Sequence, residues 1–221
     1  DETSNEACLI DPSEANPIIN FCEKNHIKPK YILNTHHHYD HVGGNQDIKN
    51  QYGSKILGYV EDKDRIPGID LLLDDQEVWK QKNFQAKILH IPGHTTGHIC
   101  YYFFNEKIVF TGDTLFSLGC GKIFEGTYDQ MYESLNKFKD FPLETKIYCG
   151  HEYTLQNSKF CIKHDPLNKK LANKILQIEK NIYDGNPTVP STIKDELECN
   201  IFLRANDIAG FSKLRDLKDN F

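Results

Sequence analysis

Short apolar runs recur through the first two-thirds of this chain, each bounded by Gly, Pro, Asn or Asp. Those at 7–10, 30–35, 54–60, 84–91, 99–104, 107–111 and 145–149 are rich in Ile, Val, Tyr or Phe and predict strands. The pair 99–104 and 107–111 reads as a hairpin across Asn105-Glu106, although that is not the favoured Asn-Gly turn. Helical spacing predicts a helix over Glu14–Lys24, capped by Ser13, with Ile18, Ile19, Phe21 and Cys22 as its apolar stripe. Met131, Leu135 and Phe138 give Asp129–Lys139 the same character. After Cys149 the pattern turns helical: Tyr153–His164, Leu167–Tyr183, Ser191–Asn200 and Asp207–Lys218, broken at Pro166, at Gly185-Asn-Pro187 and near Gly210. The expected organisation is a mixed α/β domain over 1–151 and an all-helical one over 152–221. Asp1–Glu6 reads as a hairpin tip feeding the strand Ala7–Ile10, so a first strand is expected upstream of Asp1, where any targeting signal would also lie.

Composition narrows this picture modestly. A chain of 221 residues with 38% hydrophobic and 26% charged residues can bury a full core, and no apolar run is long enough to span a bilayer. The net charge of -6 argues against a broad nucleic-acid footprint but leaves room for a local basic pocket. Seven cysteines, odd in number and without a C-x-x-C pair, read as reduced thiols of a cytosolic-type compartment. Lysine dominates the basic residues, so Arg65, Arg204 and Arg215 stand out as candidates for fork-shaped contacts.

The chemistry concentrates at strand ends. The run Lys30–Thr35 leads into His36-His-His-Tyr-Asp-His41. In an extended segment His36, His38 and Asp40 share one face and His37 the other, with His41 just before a turn at Gly43-Gly44. Such imidazole and carboxylate donors suit zinc or iron; a surface histidine cluster is the alternative. Three further strands stop at a glycine and deliver a ligand-type residue: His94 after Gly93, Asp113 after Gly112 and His151 after Gly150. Seven ligands exceed one tetrahedral zinc but fit two metals sharing a carboxylate.

The segments Thr35–His41, Pro92-Gly-His-Thr-Thr-Gly-His98, Phe110-Thr-Gly-Asp-Thr-Leu-Phe116 and Cys149-Gly-His-Glu-Tyr-Thr154 resemble the metallo-β-lactamase superfamily, most closely its glyoxalase II branch, the hydroxyacylglutathione hydrolases. The likeness continues through Gly119–Thr127, Thr188–Thr192 and Phe202–Arg204 and covers nearly the whole chain. It implies an αββα sandwich of two mixed sheets flanked by helices, followed by a helical substrate-binding domain. It also implies His36, His38 and His94 on one divalent metal, Asp40, His41 and His151 on a second, and Asp113 bridging; zinc, iron and manganese all suit such donors. The implied reaction is attack of a metal-bridging hydroxide on S-D-lactoylglutathione or a related 2-hydroxyacyl thioester, giving glutathione and D-lactate, the second step of methylglyoxal detoxification. Asp40 is expected to orient the hydroxide proton as well as to bind metal.

By the same resemblance Lys122, Phe124, Tyr153, Arg215 and Lys218 line the glutathione pocket, with Arg215 and Lys218 three apart on one helix face. Phe124 departs from the tyrosine common in the family; the missing hydroxyl is expected to weaken binding by about one hydrogen bond, roughly 0.5–1.5 kcal/mol. Cys120 reads as structural, because the metal-activated water already supplies the nucleophile. His26, His37, His90, His164 and Trp79 read as surface or core, and His98 as structural or as a donor near His94. The expected protein is a cytoplasmic monomer without nucleic-acid or membrane partners. The rivals within the fold are another hydrolase or a mononuclear-iron persulfide dioxygenase; the complete second-metal set argues against the latter.

Overall fold

Two groups of mutually contacting residues organise the computed structural model, which describes residues 1–221: 1–90 with 97–104, and 91–96 with 105–221. In the first unit, β1 (Glu6–Ile10), β2 (Lys28–Leu33), β3 (Lys55–Tyr59) and β4 (Leu71–Leu73) form a parallel sheet in that order. The connections carry α1 (Ala15–Lys24), α2 (Tyr39–Val42) and α3 (Asn45–Tyr52). Strand alternation sends Ile32 and Ile56 into one core with Ala15, Val42, Ile48 and Ile66. Their neighbours Leu33 and Leu57 enter another with Trp79, Ile88 and Tyr101. A sheet buried on both faces is what parallel strands require. Antiparallel β5 (Val78–Gln81), β6 (Phe84–His90) and β7 (Ile99–Phe103) complete the unit, with Trp79 opposite Ala86 and Lys87 opposite Tyr102.

In the second unit β8 (Ile108–Gly112) runs parallel to β11 (Lys146–Cys149), which pairs antiparallel with β12 (Ser191–Thr192). Two-residue strands β9 (Leu115–Phe116) and β10 (Gly119–Cys120) form a small reversal. The helices are α4 (Tyr128–Lys137), α5 (Thr154–His164), α6 (Lys169–Tyr183), α7 (Ile193–Cys199) and α8 (Ile208–Asp219). Phe160, Phe202 and Phe211 are buried together, the first two stacked at 5.7 Å between ring centroids.

All seven predicted strands form within two residues of their expected limits. Three helix readings need correction. The 152–221 region is not all-helical: Ser191 and Thr192, expected to open a helix, form β12, and the helix starts at Ile193 because Thr192 is its cap. Ser13 does not cap α1; Glu14 occupies that position without a side-chain bond, and the Pro12 carbonyl instead accepts from the Gly44 amide at 2.8 Å. Gly210 does not break the last helix. It lies in its first turn, where its amide donates to the Asp207 carboxylate at 2.7 Å, so that Asp207 is the cap. At α4, Thr127 and Gln130 form a reciprocal capping box.

Candidate metal centre

In the first unit β2 ends at Leu33, and the histidine run that follows is not extended. Thr35 and His36 lie in a bend, and Asp40 and His41 ride on the single helical turn α2, so strand alternation does not carry through to Asp40. The bend is set by polar side chains: Asn34 Nδ2 donates to the His41 carbonyl at 2.9 Å, and Asn45 Nδ2 to Asn34 Oδ1 at 2.7 Å. Gly43 and Gly44 have ordinary right-handed dihedrals. They are needed for close approach instead, since a Cβ on Gly43 would meet the Ser13 carbonyl oxygen at 2.6 Å.

Asp11, which the motifs did not single out, organises this loop. Its Oδ1 accepts from the Thr35 amide at 2.7 Å, and its Oδ2 from the Thr35 hydroxyl at 2.6 Å and from His41 Nδ1 at 2.9 Å. Because the one Thr35 hydroxyl proton goes to Asp11, the oxygen can only accept from His36 Nδ1, 3.0 Å away. Both rings are therefore protonated on Nδ1 and present Nε2 lone pairs, the form that ligates metal. His36 and His41 lie with ring centroids 4.1 Å apart, and His38 is edge-on to His36 at 4.7 Å. Asp40 is half exposed, with Oδ2 3.8 Å from His41 Nε2.

His37, read as surface or core, has a buried acid beside it. Its Nδ1 lies 3.4 Å from Asp62 Oδ2, and the fully buried Asp62 is also bonded by Arg65. His98 is fully buried and stacks on His36 at 4.6 Å, so its ring neighbour here is His36. His90 stacks on Tyr59 and His164 tilts against Phe160, both packing roles.

The second unit presents three donors at its strand ends. Gly112 has φ +47° and Gly93 φ +145°, so both turns use conformations that favour glycine. Oδ2 of Asp113 lies 3.6 Å from His94 Nε2 and 3.5 Å from His151 Nε2. Two donors on one tetrahedral ion with bonds of about 2.1 Å are about 3.4 Å apart, so Asp113 stands at ligand spacing from both imidazoles. His94 Nδ1 donates to the Lys122 carbonyl at 2.7 Å, which again leaves Nε2 as the lone-pair nitrogen. The donor chemistry of both units thus fits divalent metal ions.

The expected substrate residues all belong to this unit. Tyr153 is half exposed and stacks on His151 at 5.0 Å. Phe124, 61% exposed, meets the His94 ring edge-on at 5.2 Å, with the Lys122 ammonium 5.7 Å from its centroid. Lys218 sits over the Phe160 and Phe221 rings, and burial followed by the nearby Arg215 charge lowers its pKa. Arg215 is buried, and its guanidinium already donates to the Cys120 carbonyl at 2.8 Å and to Asp219 at 2.8 Å. A fork-shaped contact to a glutathione carboxylate was expected; in the structure the guanidinium holds the Cys120 backbone and Asp219. The Cys120 thiol is fully buried and burial pushes its pKa up, which opposes thiolate formation.

Solved structures set the fold first. ETHE1 from Myxococcus xanthus superposes with a TM-score of 0.73 at 22% identity, covering 98% of this chain and 82% of that one. TTHA1623, solved in a di-iron-bound form, gives 0.56 at 26% identity over 64% of this chain and 79% of its own. Residues 2–151 match the family model of the metallo-beta-lactamase superfamily, so the protein has that fold, with a helical C-terminal region. Residues 152–221 match the hydroxyacylglutathione hydrolase C-terminus. The hydroxyacylglutathione hydrolase of Pelagibacter ubique (strain HTCC1062) is 66% identical over 221 residues, 100% of this chain and 92% of that protein. The chain belongs to the hydroxyacylglutathione hydrolase family.

Proposed function

We propose that this enzyme hydrolyses S-D-lactoylglutathione and related 2-hydroxyacyl glutathione thioesters to glutathione and the free hydroxy acid. The observation that carries the reading is the hydroxyacylglutathione hydrolase C-terminus over 152–221, following a metallo-beta-lactamase region over 2–151. These spans support a catalytic domain over 1–151 and a substrate-binding domain over 152–221. His36, His38 and His94 are proposed for one ion, Asp40, His41 and His151 for the other, with Asp113 shared. The three fixed Nε2 donors and the Asp113 spacings support this assignment. Zinc is the first choice; iron is supported by the di-iron form of TTHA1623, and the same donors accept manganese.

Two divalent ions bound there supply a nucleophilic water at neutral pH and polarise the thioester carbonyl. The protein's own groups do the rest. Asp11 and Thr35 keep the imidazoles in the ligating tautomer, and Asp40 accepts the proton-side hydrogen bond of the attacking water. A thiolate leaves without a strong acid, and the buried Cys120 thiol, its pKa raised, is not called on as the nucleophile. Lys122 and Lys218 supply positive charge for the glutathione carboxylates, Tyr153 and Phe124 supply ring faces, and Arg215 holds the Cys120-Gly121 backbone beside them. The enzyme acts as a monomer in this reading, and no helix is long and apolar enough to cross a membrane.

The test is thioester hydrolysis with metal analysis before and after chelation, alongside an oxygen electrode. Turnover is expected to follow metal content, return on reloading and consume no oxygen. A fully loaded sample that leaves the thioester intact, or that takes up oxygen, overturns the proposal.

A further inference from the structure

The loop Leu115–Gly121 leads from Asp113 to Lys122 and reverses at Ser117-Leu118 between β9 and β10. Side chains from the helical segments of the same unit grip it. Asn157 Nδ2 donates to the Ser117 carbonyl at 3.1 Å, Cys161 Sγ to that of Leu118 at 3.1 Å and Asn200 Nδ2 to that of Gly119 at 3.0 Å. Arg215 does the same for Cys120 at 2.8 Å. All four are donors to loop carbonyls. One contact runs the other way: the Leu118 amide donates to Glu196 Oε2 at 2.9 Å.

Leu118 has φ +58°, a left-handed conformation that strains any residue with a side chain and persists only where its surroundings impose it. Glu196 is placed to impose it. The residue is 0% exposed, and the same Oε2 accepts from Asn200 Nδ2 at 2.9 Å, so Glu196 and Asn200 grip the Leu118-Gly119 stretch as one hydrogen-bonded pair. A buried carboxylate is costly to keep, and nothing in the thioester chemistry uses it.

We propose that Glu196 is a positioning residue for thioester hydrolysis: through the Leu118 amide it fixes the 115–121 loop, and with it Lys122 at the loop's end. Lys122 matters twice, since its carbonyl accepts from His94 Nδ1 at 2.7 Å and its ammonium, 5.7 Å from the Phe124 ring centroid, is the charge assigned above to a glutathione carboxylate. The inference rests on the function proposed above. Burial pushes the Glu196 carboxyl up to about 7, against the opposing pull of the Ser191 hydroxyl and of its hydrogen bonds to Asn200 and Leu118. The groups around it are Asp195 on its own helix, the Ser191 hydroxyl on β12, and the thiols of Cys149, Cys161 and Cys199. An ionised carboxylate is the stronger acceptor, so the grip tightens as pH rises through neutrality.

The experiment compares the metal-loaded wild type with Glu196→Gln, which keeps the shape and removes the charge. In the wild type KM for S-D-lactoylglutathione is expected to rise as pH falls from 8 to 6. In the variant KM is raised about three- to tenfold at pH 8, the loss of one charge-assisted hydrogen bond, with that pH dependence gone and kcat moving less than KM. Hydrogen exchange of peptide 115–121, corrected for intrinsic rates, is expected to be faster in the variant. Wild type and variant sharing one KM–pH profile and one exchange rate overturns the proposal. Should the variant not fold, equal corrected protection of 115–121 in the wild type at pH 6 and 8 does the same. Absence of any hydrolysis by loaded wild type sinks the proposed function instead, while the exchange result still reports on the loop.

Discussion

At the scale of single residues, Asp11 carries an unusual share of the donor geometry. One carboxylate receives the Thr35 amide, the Thr35 hydroxyl and His41 Nδ1, and through Thr35 it also fixes the tautomer of His36. Replacing it with asparagine keeps the volume and removes the charge that demands those protons. Asp11→Asn is expected to lower metal affinity about 10–100-fold, as for other groups that orient a metal's histidines. Competition with a chelator measures this, and circular dichroism checks that the fold is retained; unchanged affinity would remove Asp11 from the assembly. Phe124 makes the complementary case, a group missing something. Its ring is 61% exposed beside His94, so a hydroxyl at its edge would reach solvent and ligand without displacing core. Phe124→Tyr is expected to lower KM about two- to tenfold, the worth of one net hydrogen bond, with kcat little changed. An unaltered KM counts against Phe124 as a substrate contact.

At the scale of elements, the strands were legible because each concentrates β-branched and aromatic residues over four or more positions between turn formers. The strands that escaped, β4, β5, β9, β10 and β12, have two to four residues each and too little length for a period to show; the short helices α2 and α3 escaped as well. The histidine run shows a different limit. Its residue types announce metal chemistry, and alternation pairs His36 with His38 as the structure does. It cannot place Asp40 and His41, which ride on the turn α2 after Asn34, Asn45 and Asp11 bend the backbone through contacts made across the chain. Asp11 and Thr35 are 24 residues apart, and neither is distinctive among the chain's many acids and hydroxyls. Arg215 was noticed for its scarcity, and Asp219 is a local i,i+4 partner, yet the backbone carbonyl it holds lies 95 residues away at Cys120, which no local pattern reveals. The Gly43-Gly44 pair was likewise noticed for the wrong physical reason. Since its dihedrals suit any residue, Gly43→Ala tests close packing alone: a Cβ 2.6 Å from a backbone oxygen has nowhere to go. A loss of about 1–3 kcal/mol is expected from such overpacking, read as a lower urea midpoint. A neutral result would mean the Pro12-Ser13 segment moves aside without cost.

For the whole molecule, the titrating groups predict how stability depends on pH, and they do not all act alike. The Arg204 hydrogen bond holds the Asp165 carboxyl below its ordinary 3.8, so its contribution is present above that value and is lost as pH falls through the folded-state pKa. Burial raises the thiols of Cys149 and Cys199 to about 11 and of Cys161 to about 12. Above 9 the unfolded chain therefore releases protons that the folded one retains, and stability falls. Glu196 is the one that acts across the neutral range. Its folded carboxyl titrates at about 7 against an ordinary 4.5, so between those values the native state holds a proton that the unfolded state has given up. Stability must then decline as pH rises through that window and level off above it. Protonation of the histidine ligands also releases metal in acid, so the informative quantity is the difference between wild type and Glu196→Gln in the same buffers. The wild type is expected to lose urea resistance from pH 5 to 8 relative to the variant, which lacks the titration and becomes the more stable protein at pH 8. The same substitution is expected to raise KM there, so the ionised carboxylate that holds the Leu118 loop is also a standing cost to the fold. Parallel urea midpoints for the two proteins across that range would show that the neutral titration belongs to another group.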